Sequence, residues 1–430
     1  MLGAARTSVQ TTIAAFILCC AAMPGTAAEQ AVSNKDVAKY LTEAKNLAAG
    51  KRWDAAWAAL EKAERVPEAS PYVAYKINEF KGYVLTQQRK YAEAAALFDQ
   101  LAKSESASDD ERNGHLKTAS QLYMRGKQYD KSARAAEAAL AKAPNDPALL
   151  ELAGQSRYLA GDFRGAAARI GQLVAATERK AGQPQEAWLQ ILLDSYYRLN
   201  DRKEISQTWA MLLRHYPKPE YWRNVLKLRS AERHSEQVEL YYLALKFDVG
   251  MLDDAADYEA LALGAIDLGL PDDSVRVLEA GLRKGTLAGK HEPRFRRMLA
   301  HAQAETAKSA ARVKDLAQQA QRATTGQLDA AIGRVYLGQR MYDHAIAALR
   351  KSLQKGELQH SDQARIDLGV AYLKNGKTQQ ARDTFADVKS DSEWRDLAEL
   401  WSLRANEVAQ TTEQQFRGEP AALKPDVVRF

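Results

Sequence analysis

Seven histidines, His115, His215, His234, His291, His301, His344 and His360, are the residues from which a metal or acid–base site would first be built. None has a second histidine four residues on, so the two-ligand helical face of a zinc hydrolase is missing. His291-Glu292 runs into Pro293 instead. The carboxylate pairs Asp109-Asp110, Asp253-Asp254 and Asp272-Asp273 could serve metal or acid–base chemistry, but each stands where a helix would begin, and helix-terminus electrostatics accounts for them more simply. The chain has no P-loop lysine-serine step, no Gly-x-Ser-x-Gly elbow and no glycine pattern for a dinucleotide after a strand. The expectation is a protein that is not an enzyme and carries no cofactor and no metal.

Two features could bind rather than react. Trp188, Tyr196, Tyr197, Trp209, Tyr221, Trp222, Tyr241 and Tyr242 are concentrated in one stretch. They read either as a sugar or ligand platform or, at helical spacing, as packing between helices. Arg294-Phe295-Arg296-Arg297 and the run from Arg223 to Arg233 read either as contacts for anionic partners or as solvated helix faces.

The elements that would position these residues begin with an export signal. Arg6 precedes an apolar run from Ile13 to Met23, a Pro24-Gly25 break and the small residues Thr26, Ala27 and Ala28. The run is shorter than the roughly 18–20 residues of a spanning helix, so it reads as a signal peptide over residues 1–28, with a retained anchor and a lipoprotein as alternatives. Both cysteines, Cys19 and Cys20, fall inside it, leaving a mature chain without thiol or disulfide chemistry. Removing Arg6 leaves 60 basic against 55 acidic side chains, a charge too dilute to argue for nucleic acid. No later run is apolar enough to span a bilayer. With 46% hydrophobic and 27% charged residues, the chain is long enough to be held by its hydrophobic core.

Beyond the signal the text is helical, and it repeats. Trp53, Tyr91, Tyr129 and Phe163 are separated by 38, 38 and 34 residues. Each is followed by small and apolar residues on one helical face, as in Trp53, Ala56, Leu60, Ala63 and Tyr91, Ala94, Phe98, Leu101. Nine residues before the aromatic stands a small residue that lets two antiparallel helices touch: Gly82, Ser120 and Gly154. The pattern returns in Gly333, Tyr336, Tyr342, Ala345, Leu349 and in Gly369, Tyr372, Gly376, Ala381, Phe385.

These phrases resemble the tetratricopeptide repeat (TPR) family, whose period is about 34 residues. The resemblance implies an all-α, TPR-like α-solenoid of about nine to ten helical hairpins wound into a right-handed superhelix. It divides the chain into residues 29–250, an amino-terminal solenoid whose last two hairpins are degenerate; 251–323, degenerate hairpins with a plain helical pair from Pro293 to Ala323; 324–409, two clean repeats and a capping helix over Glu393–Ala409; and 410–430, a disordered tail.

In such an array a partner lies along fixed positions of the first helices. Projected onto this chain they are Lys76, Glu79 and Tyr83; Lys117, Gln121 and Arg125; Glu151, Gln155 and Tyr158; Trp188 and Arg198; and Arg334, Gln363 and Lys374. The lining is mixed, aromatic and mildly basic, and suits an extended peptide or protein tail. Tyr221-Trp222-Arg223-Asn224, Glu239-Leu240-Tyr241, Asp257-Tyr258 and Val277 to Leu282 are similar to TPR proteins associated with TonB-type transport in Gram-negative envelopes. The expectation is a periplasmic scaffold for protein partners of an envelope complex. The alternative is a peptidoglycan- or polysaccharide-export module in which the cluster around Trp222 stacks on sugars.

Overall fold

A computed structural model describes residues 35–67, 70–230 and 234–416. The expected signal peptide and residues 417–430 lie outside them. The described residues form twenty α-helices, and the chain divides into two compact units, one ending at Asp201 and the other beginning at Arg202.

Unit 1 holds α1 (Lys35–Ala49), α2 (Trp53–Glu64), α3 (Pro71–Gln87), α4 (Tyr91–Leu101), α5 (Asp109–Arg125), α6 (Tyr129–Leu140), α7 (Pro147–Leu159), α8 (Phe163–Arg179) and α9 (Glu186–Leu199). Three of the first helices of its hairpins, α3, α5 and α7, start on side-chain caps. Ser70 accepts from the Val73 amide ahead of Pro71, Asp146 accepts from the Ala148 and Leu149 amides, and Ser108 with Glu111 completes a capping box.

The second helices start differently. Lys51, Arg89, Lys127 and Gly161 have positive φ, and each stands two residues before a second helix. At each turn the next amide reaches back five residues, as in Arg52 N to Leu47 O at 2.9 Å and Gln128 N to Tyr123 O at 2.8 Å. This left-handed cap ends one helix just before the aromatic that opens the next.

Inside the hairpins the small residue is a contact point. A Cβ on Gly82 would lie 2.8 Å from the Phe98 ring, and one on Gly154 would lie 2.5 Å from Ile170 Cδ1. The middle hairpin replaces this packing with hydrogen bonds: Ser120 Oγ donates to Ser132 O (2.8 Å) and Ser132 Oγ to Ser120 O (2.7 Å). Trp57, Leu60, Ile77 and Val84 sit in one core cluster and Leu85, Phe98, Leu101 and Leu122 in the next.

Unit 2 holds α10 (Arg202–His215), α11 (Pro219–Arg229), α12 (Glu236–Asp248), α13 (Ala255–Asp267), α14 (Pro271–Lys284), α15 (Glu292–Arg322), α16 (Gln327–Gly338), α17 (Tyr342–Lys355), α18 (Ser361–Lys374), α19 (Thr378–Ala386) and α20 (Arg395–Phe416). Two expectations are corrected here. The stretch expected as a pair forms one helix, Glu292–Arg322, of 31 residues. No glycine or proline interrupts Arg294–Arg322, and alanine, glutamine, lysine and arginine propagate a helix. The last helix also runs to Phe416, past residue 409 where the capping helix was expected to end.

Helix α20 packs on its neighbours α18 and α19 and also on α10 and α12, near the start of the unit. Arg229 pairs with Asp396 (2.7 Å), Trp222 Nε1 donates to Glu407 Oε2 (3.0 Å), and Gln410 Nε2 donates to Arg214 O (3.1 Å). The first and last helices of unit 2 are therefore held together by its own side chains.

Candidate functional site

In unit 1 the first helices α3, α5, α7 and α9 lie side by side, and their polar residues form a row linked from helix to helix. Lys76 Nζ donates to Glu79 on its own helix and to Glu111 on α5, both at 3.0 Å, and sits 4.9 Å from the centre of the Tyr75 ring. Burial alone would lower its ammonium, but Glu79 and Glu111 outweigh that and hold it above the ordinary lysine value.

Beneath Lys76, Tyr75 Oη and His115 Nε2 share a 2.7 Å hydrogen bond, with Phe98 packed on the imidazole. His115 is 2% exposed, and burial pushes its pKa down to about 4, against the pull of Glu111. Burial likewise raises the Glu79 carboxyl against the pull of Lys76. His115 is thus a neutral, structural histidine wedged between two hairpins.

Further along the row, Lys117 approaches Asp146, the cap of α7, at 3.6 Å. Glu151 Oε1 accepts from Gln155 Nε2 and from Trp188 Nε1 on α9, both at 3.0 Å. Tyr158 Oη donates to Asp194 Oδ2 on α9 at 2.9 Å, and Arg198 lies 3.6 Å from the same carboxylate. Arg125 lies over the Tyr91 ring (5.8 Å) and Arg198 over the Phe163 ring (5.6 Å).

Of the unit 1 residues anticipated from sequence, Lys76, Glu79, Lys117, Glu151, Gln155, Tyr158 and Arg198 take part in these contacts, Arg125 rests on Tyr91, and Gln121 lies on α5 part-exposed. Two of them do other work. Tyr83 meets the Trp53 ring edge-on at 6.0 Å and belongs to the first core cluster. Trp188 is 7% exposed and presents its indole N–H inward, not a ring face outward.

The residues anticipated in unit 2 are turned to internal use. Gln363 is 3% exposed, and its Nε2 donates to Tyr241 Oη (3.1 Å). Arg334 pairs with buried Asp367 (3.6 Å), and Lys374 pairs with Asp248, which also accepts from Arg404 Nε (2.9 Å). Their acceptors come from α12 and from within the repeat itself, so this row is occupied by the unit's own side chains. Trp222 is 2% exposed and offers no face to a sugar, which corrects the stacking role considered for it. Trp209, Tyr221, Tyr241 and Tyr242 are buried as well.

Sequence reasoning missed the acidic and aromatic partners, Glu111, Asp194, Asp248, Asp367 and Tyr75. In unit 1 a signal exists: Lys76 and Glu111, Tyr158 and Asp194, and Glu151 and Trp188 are 35, 36 and 37 residues apart, one repeat period. Hydrogen-bonding pairs at that spacing mark neighbouring first helices.

Among the described residues no group of three or more His, Asp or Glu side chains is placed to hold a metal ion, and no helix is long and apolar enough to cross a membrane.

A tetratricopeptide repeat family model matches residues 41–111 and 330–393. A search of curated proteins finds no match. Similar solved structures include YrrB, described as a TPR protein with an unusual peptide-binding site, at 15% identity over 47% of this chain and 100% of that one (TM-score 0.34). A tetratricopeptide repeat protein from Parabacteroides merdae is 12% identical over 79% of this chain and 99% of that one (TM-score 0.33). The TPR2AB domain of yeast Sti1, in a complex with pHSP90, is 12% identical over 71% and 98% (TM-score 0.23). The fold is all-α and TPR-like.

Proposed function

We propose that this tetratricopeptide-repeat chain is a non-catalytic periplasmic scaffold that holds a protein partner of an envelope complex along the first-helix row of unit 1. The observation that carries the reading is the contrast between the two rows. In unit 1 the links run between consecutive repeats and leave Lys117, Gln121, Arg125 and Arg198 part-exposed or exposed. In unit 2 Gln363 and Arg334 are consumed by Tyr241 and Asp367, while Lys374 pairs with Asp248 and stays exposed.

The periplasmic assignment rests on the signal-like segment through Ala28, and a role beside TonB-type uptake rests on the resemblance around Tyr221 to Leu282. Affinity capture of the full chain from its native envelope, with wild type and a Lys117→Glu, Gln121→Ala variant, tests the proposal. A partner retained by wild type and lost by the folded variant supports it; equal retention by both refutes it.

A further inference from the structure

Among the described residues of unit 1, the exposed large apolar side chains stand on two neighbouring helices. Leu159 (47% exposed), Tyr197 (49%) and Leu199 (38%) stand on the last turns of α7 and α9, neighbouring first helices. Arg125 ends α5, the first helix on the other side of α7. Tyr129 and Phe163 are 34 residues apart, as are Arg125 and Leu159, so these two hold the same position in successive repeats. Arg125, Leu159 and Arg198 thus form a line across three helices, with an exposed leucine between two guanidinium groups.

Both guanidiniums are held in place while remaining open. Arg125 rests on Tyr91 and Arg198 on Phe163, in each case the aromatic that opens an adjoining second helix. Arg125 is exposed, and the Arg198 side chain is 62% exposed. Asp194, the nearest carboxylate to Arg198, is 3.6 Å away, too far for a hydrogen bond, and already accepts from Tyr158. Stacking on a ring restricts a guanidinium without using its N–H donors, so little freedom remains to be lost when a carboxylate arrives.

We infer that this strip is a docking surface for an extended acidic segment of a protein partner, with an apolar side chain on Leu159 between two carboxylates that pair with Arg125 and Arg198. The inference rests on the scaffold reading above and specifies its partner. Packed helices lie about 8–10 Å apart, so the two arginines are separated by roughly 20 Å. A chain extended in the polyproline II form rises about 3.1 Å per residue with three residues per turn, which places the two acidic residues about six positions apart and the apolar one midway on the same face.

The test is fluorescence anisotropy of the full chain with a labelled peptide Gly-Glu-Ser-Ser-Leu-Ser-Ser-Glu-Gly and its Gln-for-Glu and Ala-for-Leu counterparts. The first should bind, and each counterpart should weaken binding about tenfold or more. Arg125→Glu with Arg198→Glu should abolish binding of the acidic peptide and confer binding of the version with Lys in place of Glu. That rescue shows that the variant is folded. Indifference to charge reversal, or equal binding of the Gln peptide, overturns the strip. If envelope capture still depends on Lys117 and Gln121 while the peptides fail, only this inference falls; if capture is also insensitive to them, the scaffold reading falls with it.

Discussion

Tyr241 Oη donates a 2.6 Å hydrogen bond to Asp367 Oδ1, joining α12 to α18 across 126 residues of sequence. Both groups are buried, and Asp367 is 3% exposed. Burial raises the Asp367 carboxyl, and Arg334 and Tyr241 only partly offset that. Tyr241→Phe would leave a buried carboxylate short of a donor, and should cost unit 2 about 1–3 kcal/mol, measured by urea unfolding. An unchanged midpoint would mean that the bond does not hold the unit closed.

Asp248 is the second clasp of unit 2. Burial would raise its pKa, but Lys374 and Arg404 hold it down, to about 2. Asp248→Ala removes the carboxylate that Lys374 and Arg404 share, leaving Arg404 to Glu407 and Lys374 to solvent, which should cost about 1–3 kcal/mol. Limited proteolysis should then cut within α20, where the wild type resists. Because the folded pKa is depressed, this clasp's contribution is present above the ordinary aspartate value and is lost as pH falls toward 2.

His115 gives unit 1 a different acid sensitivity. Its folded pKa of about 4 lies below the ordinary 6.5, so the unfolded chain takes up the proton first. Stability from this group is complete above pH 6.5 and declines as pH falls toward 4, by roughly 2–3 kcal/mol. His115→Gln should flatten thermal stability across that window. An unchanged pH slope would contradict the buried, neutral imidazole.

Gly369→Ala probes the contact point inside a hairpin. The new Cβ would lie 2.3 Å from the ring of Phe385, itself 1% exposed. Overpacking of this kind costs about 1–3 kcal/mol, offset by about 1 kcal/mol of helix propensity. Gly171→Ala, with nothing within 4 Å of its Cβ, should instead stabilise by roughly 0.5–1 kcal/mol. Calorimetry should move the two melting temperatures in opposite directions; a common direction would contradict the packing account.

How far the sequence disclosed this structure depended on the distance over which residues act. Trp53, Tyr91, Tyr129 and Phe163 each open a helix, because local capping and periodicity fix where helices begin. The alternation of first and second helices in unit 1 was legible for the same reason. Trp188 and Trp222 were not: their surroundings are set by Glu151, 37 residues upstream, and Glu407, 185 residues downstream. No period links Tyr241 to Asp367 or Asp248 to Arg404, so the closure of unit 2 left no mark in the repeat pattern. The single long helix over 292–322 was written in the absence of glycine and proline after Pro293.

The most direct test of the central claim places a photo-crosslinking amino acid in the full chain, in its native envelope, at Lys117 on the unit 1 row or at Lys351 on α17 of unit 2. The account predicts that Lys117 captures a discrete protein and Lys351 does not. Capture at Lys351 with none at Lys117 would contradict it.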